Sequence, residues 1–367
     1  MEENKKATLE NKKACSQCGA ELLFKPGTTS IHCNYCGNEE QIITDENGFK
    51  ELELKPYLEK MGSLSHSEEI LMLHCNSCGA NQHIQDNYKS LHCVYCTMPL
   101  IRDDAKLEDW ILPGAVVPFQ LNEKKSHQLF SNWVKSLWFA PNELKRAALD
   151  LENTKGVYLP YWTFDAQLYA KYSGKRGDYY YVSVPYTTTQ NGKTVRKTRR
   201  EQRTRWSPAS GKVKGFVDDT LIKASIQKKH TIPSKVSNWN LSALKPFDSS
   251  YLAGFVTEKY TIPLKDGHFK STKEAEQIAK RWARRDIGGD TQMVSSIKMD
   301  LSEETFKHIL LPIYISSYKF KGKVYQFFIN GQTGKFTGTR PYSYWKIFFL
   351  VIIILIIVAV IALVSNK

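Results

Sequence analysis

The sequence has no Gly-x4-Gly-Lys-Ser/Thr phosphate cradle, no His-Glu-x2-His and no Gly-x-Ser-x-Gly. The equipment for nucleotide hydrolysis, zincin-type proteolysis and serine-esterase chemistry is therefore missing. The nearest approach to a phosphate loop, Gly331-Gln-Thr-Gly334-Lys335-Phe336, has the wrong spacing and ends in Phe, and it follows an expected strand rather than opening a helix. Beyond residue 110 the histidines (His127, His230, His268, His308) are scattered without metal-ligand spacing. No apolar run follows Met1-Glu-Glu-Asn-Lys-Lys, so no secretory leader is expected there. These absences lead us to expect a protein that is not an enzyme and takes no small-molecule substrate.

Charge, Pro and Gly are all missing from Ile347 to Val364, eighteen consecutive apolar residues. As a helix this run spans roughly 27 Å, close to the ~30 Å hydrocarbon core of a bilayer. Tyr342, Tyr344 and Trp345 crowd its start, where amphipathic rings favour the membrane interface. The expectation is a transmembrane helix over 346–364 with a short tail, 365–367. Lys335, Arg340 and Lys346 precede the span and only Lys367 follows it, which predicts a cytoplasmic body on a single-pass, tail-anchored protein of the cytoplasmic membrane. Inside the run only Ala359 and Ala362 would allow close helix approach, so the helix is expected to anchor rather than to pair.

All eight cysteines lie in a repeat. Cys15-Ser-Gln-Cys18-Gly19-Ala20 is echoed by Cys75-Asn-Ser-Cys78-Gly79-Ala80, and Ile31-His32-Cys33-Asn34-Tyr35-Cys36 by Leu91-His92-Cys93-Val94-Tyr95-Cys96. Each copy reads C-x2-C-x14-C-x2-C. Zn²⁺ takes four thiolates in a tetrahedron, and two Cys-x2-Cys turns supply them from the two ends of a short hairpin. In a cytoplasmic body this pattern indicates metal ligation rather than disulfides. We expect two rubredoxin-like zinc ribbons at 13–43 and 71–102. Each would hold one structural Zn²⁺, through Cys15, Cys18, Cys33 and Cys36 in the first and Cys75, Cys78, Cys93 and Cys96 in the second. Redox work and an iron–sulfur centre are the lesser alternatives. His32 and His92 are expected as packing neighbours, because four thiols already close each site. Thr97 replaces the glycine that follows the last cysteine of the other knuckles, so a less regular turn is expected there.

The flanks are polar: a disordered N-terminus at 1–12 and an acidic linker at 44–70, with Lys55-Pro56 and Met61-Gly62-Ser63 breaking any long helix. The linker reads as a flexible spacer. The α+β body expected over 110–345 is β-rich with a few helices. Asn122 should cap a helix over Glu123–Leu137, Pro141 should open one through Leu151, and Ser271 with Glu274 should form the capping box of a third that ends at Gly288-Gly289. Strands are expected at Val157–Tyr172, Tyr179–Thr189, Lys193–Trp206, Gly254–Pro263, Leu310–Phe320 and Lys323–Asn330. Asn191-Gly192 marks a hairpin between the second and third. Val157-Tyr-Leu-Pro-Tyr-Trp and Ile309-Leu-Leu-Pro-Ile-Tyr look alike and suggest a second internal duplication.

Charge divides the chain. Residues 1–110 hold 11 Lys+Arg against 18 Asp+Glu, whereas 111–367 hold 40 against 19. The densest basic stretch contains Lys193, Arg196, Lys197, Arg199, Arg200, Arg203 and Arg205. Three readings stand for it: the solvated arm of a hairpin, contact with the anionic inner leaflet, and contact with nucleic acid. Between their cysteines the ribbons offer only Lys25 and Lys89, which suits them poorly to phosphate and better to protein.

The paired ribbons, Val157-Tyr-Leu-Pro-Tyr-Trp-x2-Asp165, Trp206-x-Pro208-Ala209-Ser210-Gly211 and Ile329-Asn330-Gly331-Gln332-Thr333-Gly334-Lys335-x4-Arg340-Pro341-Tyr342-Ser343 resemble a bacterial family of tail-anchored proteins with a transcription-factor-IIB-type zinc ribbon. The resemblance covers nearly the whole chain. Some members carry a primosomal or helicase-like label. The resemblance instead implies a membrane-bound adapter that works with band-seven (flotillin-like) and phage-shock-type proteins in envelope maintenance. A zinc-ribbon nucleic-acid-binding protein tethered to the membrane is the alternative.

Overall fold

Two strands, β-branched and aromatic along their central stretches, lie side by side at the centre of the molecule. The computed structural model describes residues 13–44, 51–59, 67–83, 92–100, 106–143, 154–190, 193–226 and 232–365; the expected disordered start at 1–12, and residues 366 and 367, lie outside them. In chain order, a small sheet of β1 (Leu22–Phe24), β2 (Ser30–Cys33) and β3 (Glu39–Gln41) comes first. Next come β4 (Leu52–Glu53), helix α1 (Leu54–Glu59), β5 (Ser67–His74), β6 (Asn81–His83) and β7 (Lys106–Ile111). The body follows with β8 (Ala115–Val116), α2 (Glu123–Ser136), β9 (Thr154–Gln190), β10 (Lys193–Lys223) and β11 (Lys245–Pro246). It continues through β12 (Val256–Glu258), α3 (Leu264–Ile287), β13 (Thr291–Phe320), β14 (Lys323–Asn330) and β15 (Phe336–Gly338) to the terminal helix α4 (Tyr344–Ser365). All strands from β4 onward join one sheet.

The two look-alike segments pair with each other. β9 and β13 run antiparallel with Leu159 opposite Leu311, Tyr158 opposite Pro312 and Pro160 opposite Leu310. Everything around that point occurs twice. β12 joins β9 in parallel through Val256↔Val157, as β8 joins β13 through Ala115↔Ile309. The Ala224 amide donates to the Pro160 carbonyl at 3.1 Å, and the Gly331 amide to that of Pro312 at 3.0 Å. The amides of Thr261 and Ile262 close on Ala224 O just as those of Gln120 and Leu121 close on Gly331 O. Trp162 Nε1 donates to Ile262 O at 2.9 Å, and the Tyr314 hydroxyl to Leu121 O at 2.8 Å. The body is thus two β-α-β-β units (β8-α2-β9-β10 and β12-α3-β13-β14) about an approximate twofold through Leu159 and Leu311. A short sequence likeness expands into a full structural duplication because backbone hydrogen bonds preserve geometry without requiring residue identity.

The helices follow local chemistry with one exception. Asn122 caps α2 as expected, its Oδ1 accepting from the Lys125 amide at 2.8 Å. The helix expected from Pro141 lies largely outside the described residues. The third expected helix starts seven residues earlier than its capping box, at Leu264 after Pro263, and Ser271 sits inside it with its hydroxyl bonded back to His268 O. Tertiary packing overrides the local signal: Gly267, Ser271, Ala275, Ala279 and Ala283 form a buried stripe four residues apart, so the helix axis lies close on the sheet. A Cβ on Gly267 would stand 2.8 Å from Trp162, and one on Gly215 of β10 2.8 Å from Trp282. The Gly288 cap, at φ 64°, ends the helix where expected.

The strands run far longer than their patterns suggest. Tyr179–Thr189 is a continuation of β9, and the basic stretch is the outer part of β10, with Gln190 opposite Lys193 across the two-residue connection. The acidic linker also differs from a spacer. Leu54 is buried beside Trp162 and Phe306, Leu52 pairs with Phe306, and Glu51 meets Lys307 at 3.0 Å. The apolar residues of this segment, diluted among acids in the sequence, are the ones that dock.

His308 is buried among Trp162, Tyr260 and Trp110, with ring centroids at 4.9, 5.5 and 5.8 Å. The Ile111 carbonyl, 2.7 Å from Nδ1, can only accept, so Nδ1 carries the proton. Burial pushes the imidazole down to about 4. Because the folded value lies below that of the unfolded chain, stability is intact above about 6.5 and is lost as pH falls toward 4, by on the order of 3 kcal/mol. Melting of the full chain in detergent should therefore drop more steeply between these limits than melting of a His308→Phe variant, measured by circular dichroism.

Candidate metal centres

Each cysteine pair sits on a tight turn that aims backbone amides inward. In the first module the Cys15 amide donates to Ala20 O (2.7 Å) and Gly19 to Cys15 O (2.9 Å); Cys33 and Gly37 repeat this with Asn38 O and Cys33 O. The second module repeats it at Cys75–Ala80 and Cys93–Met98. Gly19, Gly37 and Gly79 hold φ of 73°, 77° and 80°, and Thr97 is forced to 62°. The turn at Thr97 is as regular as the others, with amide bonds of 2.8 and 2.9 Å, contrary to expectation. The pull of the site outweighs the roughly 1–2 kcal/mol that a side chain pays in this conformation.

The sulfurs converge. Cys15–Cys36, Cys18–Cys33, Cys75–Cys96 and Cys78–Cys93 each stand 3.5 Å apart, and all four sulfurs of each cluster lie within 4.8 Å of one another. A disulfide needs about 2.05 Å, whereas a tetrahedron of Zn–S bonds near 2.3 Å has edges of about 3.8 Å. All eight cysteines are free thiols, so both donor sets fit a closed four-thiolate ion. The Cys78 thiol, with the Cys96 and Tyr95 amides and Gln82 Nε2, holds Cys93 down at about 5, while Cys78 is pushed up. Were all four deprotonated in so small a volume, they would need a cation among them. The histidines stay out: His32 Nδ1 meets Leu23 O at 3.0 Å.

The two modules are built alike and placed differently. The first leans on the body through Phe24, whose amide donates to Ala253 O and whose ring lies 5.3 Å from Tyr251, and through Gly27, which bonds Phe119 O at 2.8 Å. Its outer knuckle is open: Cys18 and Cys36 are exposed, and Tyr35 is 86% exposed. The second is set into the sheet, β6 pairing with β12 through Thr257↔His83. Its knuckle is sealed. Tyr95 is fully buried and donates to Glu258 Oε2 at 2.7 Å, Ser317 Oγ donates to the carbonyls of Val94 and Tyr95, and Gln326 Nε2 donates to Tyr95 O. Gln82 Nε2 adds a bond to Cys93 Sγ at 3.1 Å, where the first module has Leu22. Neither module projects from the body on a spacer.

The remaining motif residues have structural duties. Asn330 is fully buried, its Oδ1 accepting from the amides of Gln332 and Thr333 and its Nδ2 donating to Val236 O and Asn238 O. The Gly334 amide closes on Asn330 O. These amides are committed within the turn, which therefore cannot cradle a phosphate. Asp165, Asp218 and Asp219 bring carboxylates within 4.8 Å of one another at facing bulges of β10 and β13. The chain supplies the counter-ion itself: Lys307 Nζ lies 3.0 Å from Asp219, 3.5 Å from Asp165 and 3.0 Å from Glu51. Burial pushes the Asp165 carboxyl up to about 6 despite the Asp219 amide and the Lys307 ammonium. Sequence reasoning gave Asp165 no role, although an acid in an aromatic strand was the available signal. The seven basic residues of 193–205 stay together on the outer β9–β10 hairpin.

No family model matches this chain, and no solved structure matches it. It is similar to the uncharacterized protein YdjG of Bacillus subtilis (strain 168), with 24% identity over 342 residues, 91% of each chain.

Metal analysis should find about two zinc per chain. Cys93→Ser should remove one and lower the melting temperature of the body, whereas Cys36→Ser should remove one and leave the body's melting nearly unchanged.

Proposed function

We propose that the protein is a membrane-tethered adapter without enzymatic activity, whose first cysteine module recruits a protein partner. The carrying observation is the pair of matched knuckles, one seated and one free. In the second, a Tyr hydroxyl finds a carboxylate and two backbone carbonyls find hydroxyl and amide donors. The first carries the same tyrosine, Tyr35, with the surface around it exposed. A partner offering an acidic pocket beside a few neutral donors would complete it. Nucleic acid suits this knuckle poorly, because the one lysine between its cysteines, Lys25, already pairs with Glu39.

The tether is α4. It is long and apolar enough to cross a membrane and buries none of its residues against the rest of the chain. Both modules would be zinc ribbons on this reading, and the body would lie in the cytoplasm. The resemblance drawn from the sequence motifs makes band-seven and phage-shock-type proteins the partners to look for first.

Capture from detergent-solubilised membranes, with partners identified by mass spectrometry, tests this. Tyr35→Ala should lose roughly thirtyfold in partner affinity, about 2 kcal/mol, as buried tyrosine anchors do. Recovery of the wild-type chain in the soluble fraction without detergent would sink the tether, and equal recovery of partner by the variant would sink the role of the knuckle.

A further inference from the structure

The outer β9–β10 hairpin belongs to neither the metal centres nor the duplicated core. β13 accompanies β9 only as far as Gly177↔Thr291, so residues 178–190 and 193–205 continue as a free two-stranded ribbon. Thirteen residues at about 3.3 Å carry it roughly 40 Å beyond the third strand. Past Tyr179, whose amide donates to Asp290, the hydrogen bonds and ion pairs of the ribbon among the described residues stay within it.

Its charge is positive on both faces, and its two carboxylates, Asp178 and Glu201, lie on the face that holds more cations. Register and the two-residue period place Lys193, Lys197, Arg199, Arg203 and Arg205 on one face, and Arg196 and Arg200 on the other. Among the described residues only Arg203 meets a carboxylate, Glu201 at 3.7 Å. Rings are interleaved: Tyr180, Tyr181 and Tyr186 are between 38 and 56% exposed, and Arg205 and Arg200 lie over the first two.

The ribbon tip and the start of α4 lie at opposite ends of β9. α4 leaves from the end of the sheet where β13 finishes and β9 begins: Thr154 pairs with Ser316, the Tyr318 hydroxyl donates to Thr339 O, and Lys346 Nζ to Ala140 O. The ribbon tip is at the other end of β9, roughly 120 Å of strand away. That separation favours an anionic partner met in the aqueous phase over the leaflet that α4 would enter. The B-form major groove, ~12 Å wide, admits a two-stranded ribbon. Cations along the flanks neutralise phosphates, and Thr188, Thr189, Gln190 and Thr194 at the tip carry the hydroxyl and amide groups that meet base edges.

We propose that this ribbon is a DNA-binding arm that enters the major groove of duplex DNA. The test uses the full chain in nanodiscs of phosphatidylcholine and three probes: a DNA duplex of about 30 base pairs, an RNA duplex of the same sequence, and vesicles rich in phosphatidylglycerol. If five cations meet phosphates, DNA affinity should fall roughly 500-fold between about 50 and 200 mM salt. Lys197→Gln/Arg199→Gln/Arg203→Gln should bind weakly and lose only about tenfold over the same range. Lys212→Gln/Lys214→Gln, on β10 nearer the body, should bind as the wild type does. Vesicle binding without DNA binding, RNA bound as tightly as DNA, a triple variant indistinguishable from wild type, or no binding to any probe would each overturn the proposal.

Discussion

The antiparallel pairing of β9 with β13 at Leu159 and Leu311 is the constraint on which the other placements rest. Two central strands buried on both faces demand cover on each side. The duplicated units provide it symmetrically, β8 and β12 as parallel neighbours and α2 and α3 as the intervening helices. The prolines of the two look-alike segments sit where a ladder amide is not required, and their carbonyls receive Ala224 and Gly331. On the face that Tyr158 and Trp162 share, the rings of Phe119, Tyr158, Phe255 and Tyr314 fill one half and those of Trp162, Tyr260, Phe306 and His308 the other, while Leu159, Tyr161, Leu311 and Ile313 pack on the opposite face.

From that centre the duplication departs from symmetry in a directed way. One hairpin, β13–β14, stays short and hands the chain to α4. The other, β9–β10, grows to 37 and 31 residues and carries the basic ribbon away from it. The same departure governs the metal modules. A repeated unit met two different surfaces, so Tyr95 became part of the core while Tyr35 stayed on the outside. An ion held by each four-thiol cluster would supply local folding free energy, because neither module has enough apolar residues for a core of its own. Loss of the second ion should therefore reach the body through β6 and β12, whereas loss of the first should remain local.

Much of the chemistry was legible without coordinates. Eight cysteines at repeated spacing named two four-thiol clusters, eighteen apolar residues named one spanning-length helix, and Asn122 named a helix start. These signals are local, since the residues that act together lie within a few turns of one another. Others failed for the same reason. The capping box at Ser271 is a valid start signal that lost to burial of Leu264 and Gly267 against Trp162 and Phe164. Thr97 looked like a defect, and the site holds it in the left-handed region regardless. The acidic stretch around Glu51 read as a spacer because the sequence does not show Lys307, 256 positions away.

Composition, the two four-thiol sets, the apolar run and the division of charge can all be read from residue type and short spacing. Folding in three dimensions settles which knuckle is seated, that the acidic segment docks, that two short look-alikes are the axis of a duplicated body, and that the densest positive charge lies at the other end of β9 from the start of the apolar helix. Those outcomes depend on which distant segments share a strand edge, and backbone pairing leaves little trace in residue identity.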